Sequence, residues 1–231
     1  MNESSIIFKA EMVRAILEGR KTQTRRVMKP QPMCDGYYEG DVHLDELSHR
    51  DSDATWAAFS VEAVGGGAYL EETISCPYGR YGTNLWVRET WAAGYCSEDL
   101  SPSQLSRQFY THENGGFWYK ADGYAPRTPQ TPIGRWRSSI HMPRWVSRLT
   151  LEITGIRVER LTEISDLGPS NDCTAEGVFH SGLKIPNDWQ ERGFRSSEKC
   201  MFHDLWESIN GEGSWNENPW VWVVDFKRIE Q

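Results

Sequence analysis

The chain has 231 residues, of which 38% are apolar and 25% charged, and this composition excludes a disordered chain and is typical of a globular protein. A net charge of −8 argues against tight, sequence-independent binding of long nucleic acids, because that binding depends on many phosphate contacts. No run approaches the roughly 18 consecutive apolar residues of a membrane span, and the first residues lack an export-signal pattern. We therefore expect a cytoplasmic protein with no membrane contact.

The 5 cysteines are scattered and never form a C-x-x-C pair. The sequence therefore indicates neither a disulfide framework nor a standard zinc site. Cys76 with Cys34 or His43 is the one combination considered for zinc, and its spacing is non-standard. We expect reduced thiols, no bound metal and no cofactor.

The N-terminal segment predicts a strand near 5–8, a helix over 10–18 and a second strand over 22–28. Gly19 directly follows the helix, at the position where helices commonly end in a left-handed residue. The second strand is alternating and rich in β-branched residues. The helix is predicted to bury Met12, Ala15 and Ile16, which are spaced at i, i+3 and i+4.

Two long stretches interrupt the regular pattern. Residues 33–80 are acidic and carry three consecutive glycines, and we interpret them as an insertion with little regular structure. Residues 84–90 have strand character again. Residues 95–137, rich in Pro and Gly, form the second predicted insertion.

The second half predicts a long strand over 148–161, a short helix over 170–176 that ends at Gly177, a helix over 197–209 and a last strand over 220–229. Separated strands without a regular β-α-β alternation argue for an α+β fold with a mixed or mostly antiparallel barrel. We expect one domain over 1–231. The buried face of the helix over 197–209 is predicted to consist of Phe202, Leu205, Trp206 and Ile209.

The segment from Gly19 to Arg26 lies between a helix end and a strand start, where small ligands are often bound. Several arginines surround Lys21, and like charges lower the pKa of a lysine, so Lys21 is a candidate base. Thr24 is then a candidate hydroxyl nucleophile. In an ideal strand Thr24 and Arg26 share a face that excludes Lys21, so we expect Lys21 in the turn before the strand.

The pattern Gly19-x-Lys21-x-x-Thr24-x-Arg26 resembles the G-x-K-x-x-E-x-R signature of ASCH domains. That family has a PUA-like β-barrel, which predicts such a barrel here with flanking helices and large loop insertions, and it is linked to RNA and modified nucleosides. Thr24 replaces the usual Glu, as in a subgroup whose bacterial members are amidohydrolases that deacetylate N4-acetylcytidine. Those enzymes use a Lys, the Thr and a Glu after the long strand.

The resemblance covers residues 6–30 and 148–177, and the chain also resembles long ASCH proteins of prophages. It implies the catalytic residues Lys21, Thr24 and Glu176. Glu163 and Glu89 are the other acids considered for the role of Glu176. A nucleobase-sized pocket that binds a nucleoside is also implied.

Further candidates surround this motif in the sequence. Trp86 either stacks on a base or packs in the core, and Glu89 either faces the pocket or pairs with an arginine. His141 either acts as a base or phosphate contact or is hydrogen-bonded structure. The predicted substrate-binding residues are Gly19, Arg20, Arg26, Trp86, Glu89 and His141.

Basic residues are concentrated in segments 9–29 and 135–160, which hold 13 of the 25 Lys and Arg. They form either one positive face or two solvated faces without a partner. Three functions remain open: an amidohydrolase of acylated cytosine nucleosides, a non-catalytic reader of RNA or a modified base, and a prophage protein that binds a host protein. Thr24 favours the first, and the acidic net charge favours a small substrate. The sequence does not indicate an oligomeric state.

Overall fold

The computed structural model describes residues 3–31, 42–44, 56–62, 69–97, 99–105, 116–123, 133–168, 171–178 and 186–229. Within these ranges the α-helices are α1 (Ala10–Leu17), α2 (Asp172–Ala175) and α3 (Ser197–Asn210). The strands are β1 (Glu3–Ile7), β2 (Gln23–Val27), β3 (Val42–Leu44), β4 (Trp56–Glu62), β5 (Tyr69–Ser75), β6 (Asn84–Arg88), β7 (Trp91–Ala92), β8 (Trp118–Tyr119), β9 (Thr150–Arg160) and β10 (Trp220–Ile229). None of the described helices combines the length and the apolar character needed to cross a bilayer.

Five strands form one mixed sheet in the order β1-β6-β9-β10-β2. β1 is parallel to β6, whereas β6 with β9 and β10 with β2 are antiparallel. These five are the strands that the sequence predicts, so the α+β class with a mixed sheet is confirmed. β1 and β2 stand at opposite ends of the order, and no pairing among the described strands closes the sheet into a barrel.

The chain folds as two compact units, each assembled from separated stretches. The first unit comprises Met1–Gly19, Asn84–Glu152 and Arg228–Gln231. The second unit comprises Arg20–Thr83 and Ile153–Lys227. The expectation of a single domain stays a prediction.

β1, β6 and α1 all contribute buried apolar residues to the first unit. Ile6 pairs with Val87 in parallel register, and both side chains are buried. α1 ends as expected, with Gly19 at a φ of +73°. Ala15 and Ile16 are buried as predicted, whereas Met12 is half-buried and Val13 is buried in addition.

The core of the second unit lies between α3 and β10. Phe202 and Trp206 of α3 pack in one cluster with Val221 and Val223 of β10. Ile209 was expected in this cluster and is 37% exposed instead, since it lies in the last turn of the helix. Among the side chains that the structure describes, five tryptophans are buried, which favours a packing role for them: Trp91, Trp206, Trp215, Trp220 and Trp222.

The interpretation of 33–80 as an insertion with little regular structure is wrong for its described part. β3, β4 and β5 form an antiparallel three-stranded sheet, with Phe59 of β4 opposite both Leu44 and Glu72. Acidic and glycine residues obscure the alternation in this segment, and pairing between strands supplies the order that the local sequence does not show. This sheet is separate from the five-stranded one. Within 95–137 the described residues form short elements, which include β8.

Candidate active site

The site of the second unit begins where the chain enters β2. The amide of Thr22 donates to the carbonyl of Ala175 at 2.9 Å, and the amide of Phe226 donates to the carbonyl of Thr22 at 2.8 Å. β2 itself starts at Gln23, so Lys21 precedes the strand, as the sequence predicts. The backbone is therefore fixed by hydrogen bonds directly beside Lys21.

Lys21 binds Glu176 through two contacts. Its Nζ lies 2.6 Å from Oε2 of the Glu176 carboxylate and donates to the main-chain carbonyl of the same residue at 2.8 Å. Lys21 is 2% exposed and Glu176 is 4% exposed. A charged pair at this depth is held by direct contact rather than by water.

Glu176 is presented by the end of α2. The Asn171 side chain accepts from the amide of Thr174 at the start of this short helix, and Gly177 ends it with a φ of +74°. The other two acids considered for this role have different partners. The carboxylate of Glu163 accepts from the amide of Arg160 at 3.0 Å, and that of Glu89 binds Arg148.

Burial lowers the pKa of Lys21 and is the largest influence on it. The Glu176 carboxylate acts in the opposite direction, and Arg26 and Arg25 lower the pKa further. The sequence also predicts a lowered pKa for Lys21, but it attributes this to cationic neighbours, which contribute less than burial does. A lysine with a lowered pKa releases its proton more readily and so can act as a base.

Arg25 is the main residue that the sequence analysis missed. Its side chain is completely buried and contacts three carboxylates. Nη2 lies 3.1 Å from Oδ2 of Asp172 and also contacts Glu159, and Nη1 lies 3.5 Å from Oε1 of Glu176. Gln23 and Arg25 share a face of β2, and both contact the Asp172 carboxylate, but the sequence alone gives no signal of this distant partner.

A network of charged and polar groups surrounds Arg25. Gln23 donates to Asp172 at 2.9 Å and to Asp225 at 2.7 Å. Arg157 binds the same two acids at 2.6 and 3.0 Å. Burial opposes ionisation of Asp172, yet the hydrogen bond from Gln23 and the charges of Arg25 and Arg157 hold its pKa below the usual range.

Thr24 lies in the middle of β2, opposite Val224, and is 2% exposed. Among the described residues no hydrogen bond joins its hydroxyl to Lys21 or Glu176. The structure therefore brings Lys21 and Glu176 into contact and leaves Thr24 on the adjoining strand without a direct bond to either.

Two predicted binding arginines lie near this pair. Burial is the largest influence on the pKa of Arg26 and lowers it, whereas Tyr78 and Glu176 act in the opposite direction. Arg20 donates to the carbonyl of Gly177 at 3.5 Å. Tyr78 lies in the turn after β5, and its influence on the pKa of Arg26 was not indicated by the sequence. Gly19 ends α1, and a side chain there would meet nothing within 4 Å.

The remaining predicted binding residues belong to the first unit. Trp86 is half-buried on β6, with the guanidinium carbons of Arg88 and Arg144 at 5.2 and 5.9 Å from its ring. Glu89 is buried and binds Nε and Nη2 of Arg148 at 3.0 and 3.2 Å, so the reading as an arginine partner fits it better. His141 is exposed in a 3₁₀ turn.

Ion pairs reduce the positive potential of the two basic segments. In the first unit Arg144 binds Glu3 at 3.0 Å, and in the second unit Arg25 and Arg157 bind carboxylates as described above. Whether the segments share a face stays a prediction. Cys34 lies outside the described residues, and within those residues no group of three or more His, Cys, Asp or Glu side chains is arranged to hold a metal ion.

Comparison with known proteins adds no further information, because no protein-family model, curated protein or solved structure matches this chain.

Proposed function

We propose that this chain is an ASCH-type amidohydrolase that removes acyl groups from N4-acylated cytosine nucleosides. The observation that carries the proposal is the buried contact between Lys21 and Glu176, two residues 155 positions apart that the family pattern pairs. The same resemblance places the five-stranded sheet in a PUA-like barrel, and this finer description of the fold is part of the proposal.

The proposed chemistry starts from one proton held between Lys21 and Glu176. Transfer of this proton to the carboxyl group leaves the amine of Lys21 as a neutral base, and the lowered pKa of Lys21 makes this transfer easier. Lys21 then takes the proton of the Thr24 hydroxyl as this hydroxyl attacks the acyl carbonyl. Because Nζ contacts Glu176 in the structure, the reaction requires Lys21 to turn towards Thr24 when substrate binds.

The second half of the reaction breaks the C–N bond. Arg26, or an amide near Gly19, stabilises the oxyanion that forms on the acyl oxygen, a contribution of about 3–4 kcal/mol for one such donor. Glu176 gives its proton to the departing N4 nitrogen, and water then releases the acyl group from Thr24. In an alternative route, Thr24 positions a water molecule that attacks directly, and no acyl-enzyme forms.

The test is a screen of N4-acylated cytidines and deoxycytidines for release of the carboxylic acid. We expect turnover by the wild type and a decrease of at least about 100-fold in Lys21→Ala and in Glu176→Ala. Lys199→Ala is the matched control, since this half-buried lysine binds the main-chain carbonyls of Thr162 and Ile164 and contacts no acid in the site. We expect it to keep near-normal activity.

Two results would contradict the hydrolase. One is a wild type that cleaves none of these nucleosides, and the other is near-normal turnover in both site variants. Binding of the nucleosides without cleavage would instead support the non-catalytic reader. RNA binding by such a reader should weaken steeply with added salt, whereas turnover of a neutral nucleoside should change little.

A further inference from the structure

Arg25 occupies a central place in the second unit. It lies on β2, where it pairs with Val223 of β10, and its side chain is completely buried. Its guanidinium contacts carboxylates from β9 and from both ends of α2, namely Glu159, Asp172 and Glu176. The planar group of an arginine can contact several carboxylates along separate edges, which the single ammonium of a lysine cannot.

We propose that Arg25 is a positioning residue that holds the Glu176 carboxylate in place against Lys21. Its effect on turnover rests on the proposed function, whereas its effect on the Lys21–Glu176 pair does not. The motif that suggested the site contributes Lys21, Thr24 and Arg26 and says nothing of Arg25.

The two carboxylate oxygens of Glu176 have different neighbours. Oε2 is bonded to Lys21 at 2.6 Å, whereas Oε1 faces Nη1 of Arg25 at 3.5 Å. Oε1 is buried and accepts no hydrogen bond within the described part of the chain. Arg25 therefore stabilises the orientation of the carboxylate by charge and leaves Oε1 able to accept an N–H of a bound substrate.

Arg25 is itself held from the opposite side. Asp172 is fixed by Gln23 and Arg157, at 2.9 and 2.6 Å, and so gives Nη2 of Arg25 a rigid partner. Because Nη2 contacts Asp172 and Nη1 donates to the side-chain oxygen of Gln23, Nη1 has a defined position beside Glu176. Asp172 thus supports Arg25, and Arg25 in turn orients the carboxylate of Glu176.

The proton affinity of Lys21 is sensitive to the position of Arg25, because both side chains contact the Glu176 carboxylate. A second cation near an amine lowers the proton affinity of that amine. The charged and titratable groups around the pair, from β2, β9, α2 and the turn after β5, are Arg25, Arg26, Glu159, Asp172, Cys173 and Tyr78.

The experiment measures the proton affinity of Lys21 by NMR in the full chain. Proteins labelled with ¹⁵N-lysine are titrated with pH, and the Nζ resonance is assigned by its loss in Lys21→Met. We expect Arg25→Gln to raise the proton affinity of Lys21 by more than about threefold. Arg157→Gln removes a charge from the same network without a contact to Glu176, and we expect a change of less than about threefold.

The conservative variant separates charge from geometry. Arg25→Lys keeps the cation, so we expect the proton affinity of Lys21 to remain within about threefold of the wild type. Because one ammonium cannot hold three carboxylates, we expect kcat to fall by about tenfold with KM little changed.

An unchanged Lys21 titration in folded Arg25→Gln, or an equal change in Arg157→Gln, would overturn the proposal. If Arg25→Gln does not fold, the readout is the carboxyl carbon resonance of Glu176 in Arg25→Lys. A larger displacement than in Arg157→Gln supports positioning, and an equal or smaller one contradicts it. The titration needs no substrate, so a wild type without turnover removes the hydrolase but leaves the role of Arg25 intact.

Discussion

The buried Lys21–Glu176 contact permits a prediction about stability that is independent of activity. At 2.6 Å and an effective dielectric constant of about 20, two opposite unit charges attract by about 6 kcal/mol. Burial of the two ions costs several kcal/mol each, so the net contribution of the pair is small. Removal of one partner leaves a buried group without its counter-charge, which typically costs about 3–5 kcal/mol.

The neighbours of the pair make the two single variants unequal. Lys21→Met leaves Glu176 beside Arg25, whose positive charge still compensates that of the carboxylate. We therefore expect the free energy of unfolding to fall by about 3 kcal/mol. Glu176→Gln leaves the Lys21 amine near two arginines, Arg25 and Arg26, so we expect a loss near 5 kcal/mol. The double variant leaves neither ion, and we expect it to lose about 2–3 kcal/mol less than the sum of the single losses.

The assay is equilibrium unfolding in urea at pH 7, followed by tryptophan fluorescence and by circular dichroism. Coincident transitions with the two probes are needed before free energies are compared. The reasoning is refuted if both single variants lose less than about 1 kcal/mol, or if their losses add within about 0.5 kcal/mol in the double variant.

The pH dependence of the same measurement has a definite sign. The pKa of Lys21 is lowered by burial, so between that value and the ordinary lysine pKa of about 10.4 the folded protein binds fewer protons than the unfolded chain. This contribution therefore makes the free energy of unfolding rise with pH in that window, by up to about 1.4 kcal/mol per pH unit. Lys21→Met lacks the contribution, so the stability advantage of the wild type over it should grow with pH.

Three further variants or reagents test other parts of the structure. Gly155→Ala places a Cβ about 3.0 Å from Oδ2 of Asp225, and we expect urea unfolding to show a loss of about 1–3 kcal/mol. Burial raises the pKa of Cys173 to about 12, so iodoacetamide at pH 8 should modify it at least about 100-fold more slowly in the folded protein than in urea, as measured by peptide mass spectrometry. Glu89→Gln removes the charge of the buried partner of Arg148, which keeps Asp122 at 2.7 Å, and thermal and urea unfolding should show a loss of about 1.5 kcal/mol.

The elements that could be predicted from the sequence are those whose signal is local. The strand over 220–229 and the helix over 197–209 have clear periods of 2 and 3.6 residues, and both were found within one or two residues of their ends. β4 and β5 were missed because acids and glycines hide their alternation, and the pairing between them cannot be read from either segment alone.

The site was predictable to the extent that it follows a motif. Lys21 and Glu176 were named from a pattern, and the structure places them in contact. Arg25 was passed over although it is adjacent to named residues, because its partners Asp172 and Glu159 are far along the chain. A buried arginine with distant acids has no sequence signal until the fold brings them together.

The position of Glu176 depends on the contacts of the site. α2 has only four residues, and a helix of that length is not stable alone. It is held against the start of β2 by the hydrogen bond from Thr22 to Ala175, by Gln23 with Asp172, and by Lys21 with Glu176. Two of these three contacts involve side chains in β2 or just before it, Gln23 and Lys21. The substitutions that disturb the proposed chemistry are therefore expected to loosen α2 as well. Faster hydrogen exchange at the α2 amides shows that a variant has displaced Glu176, whereas unchanged exchange shows that only the substituted group is missing.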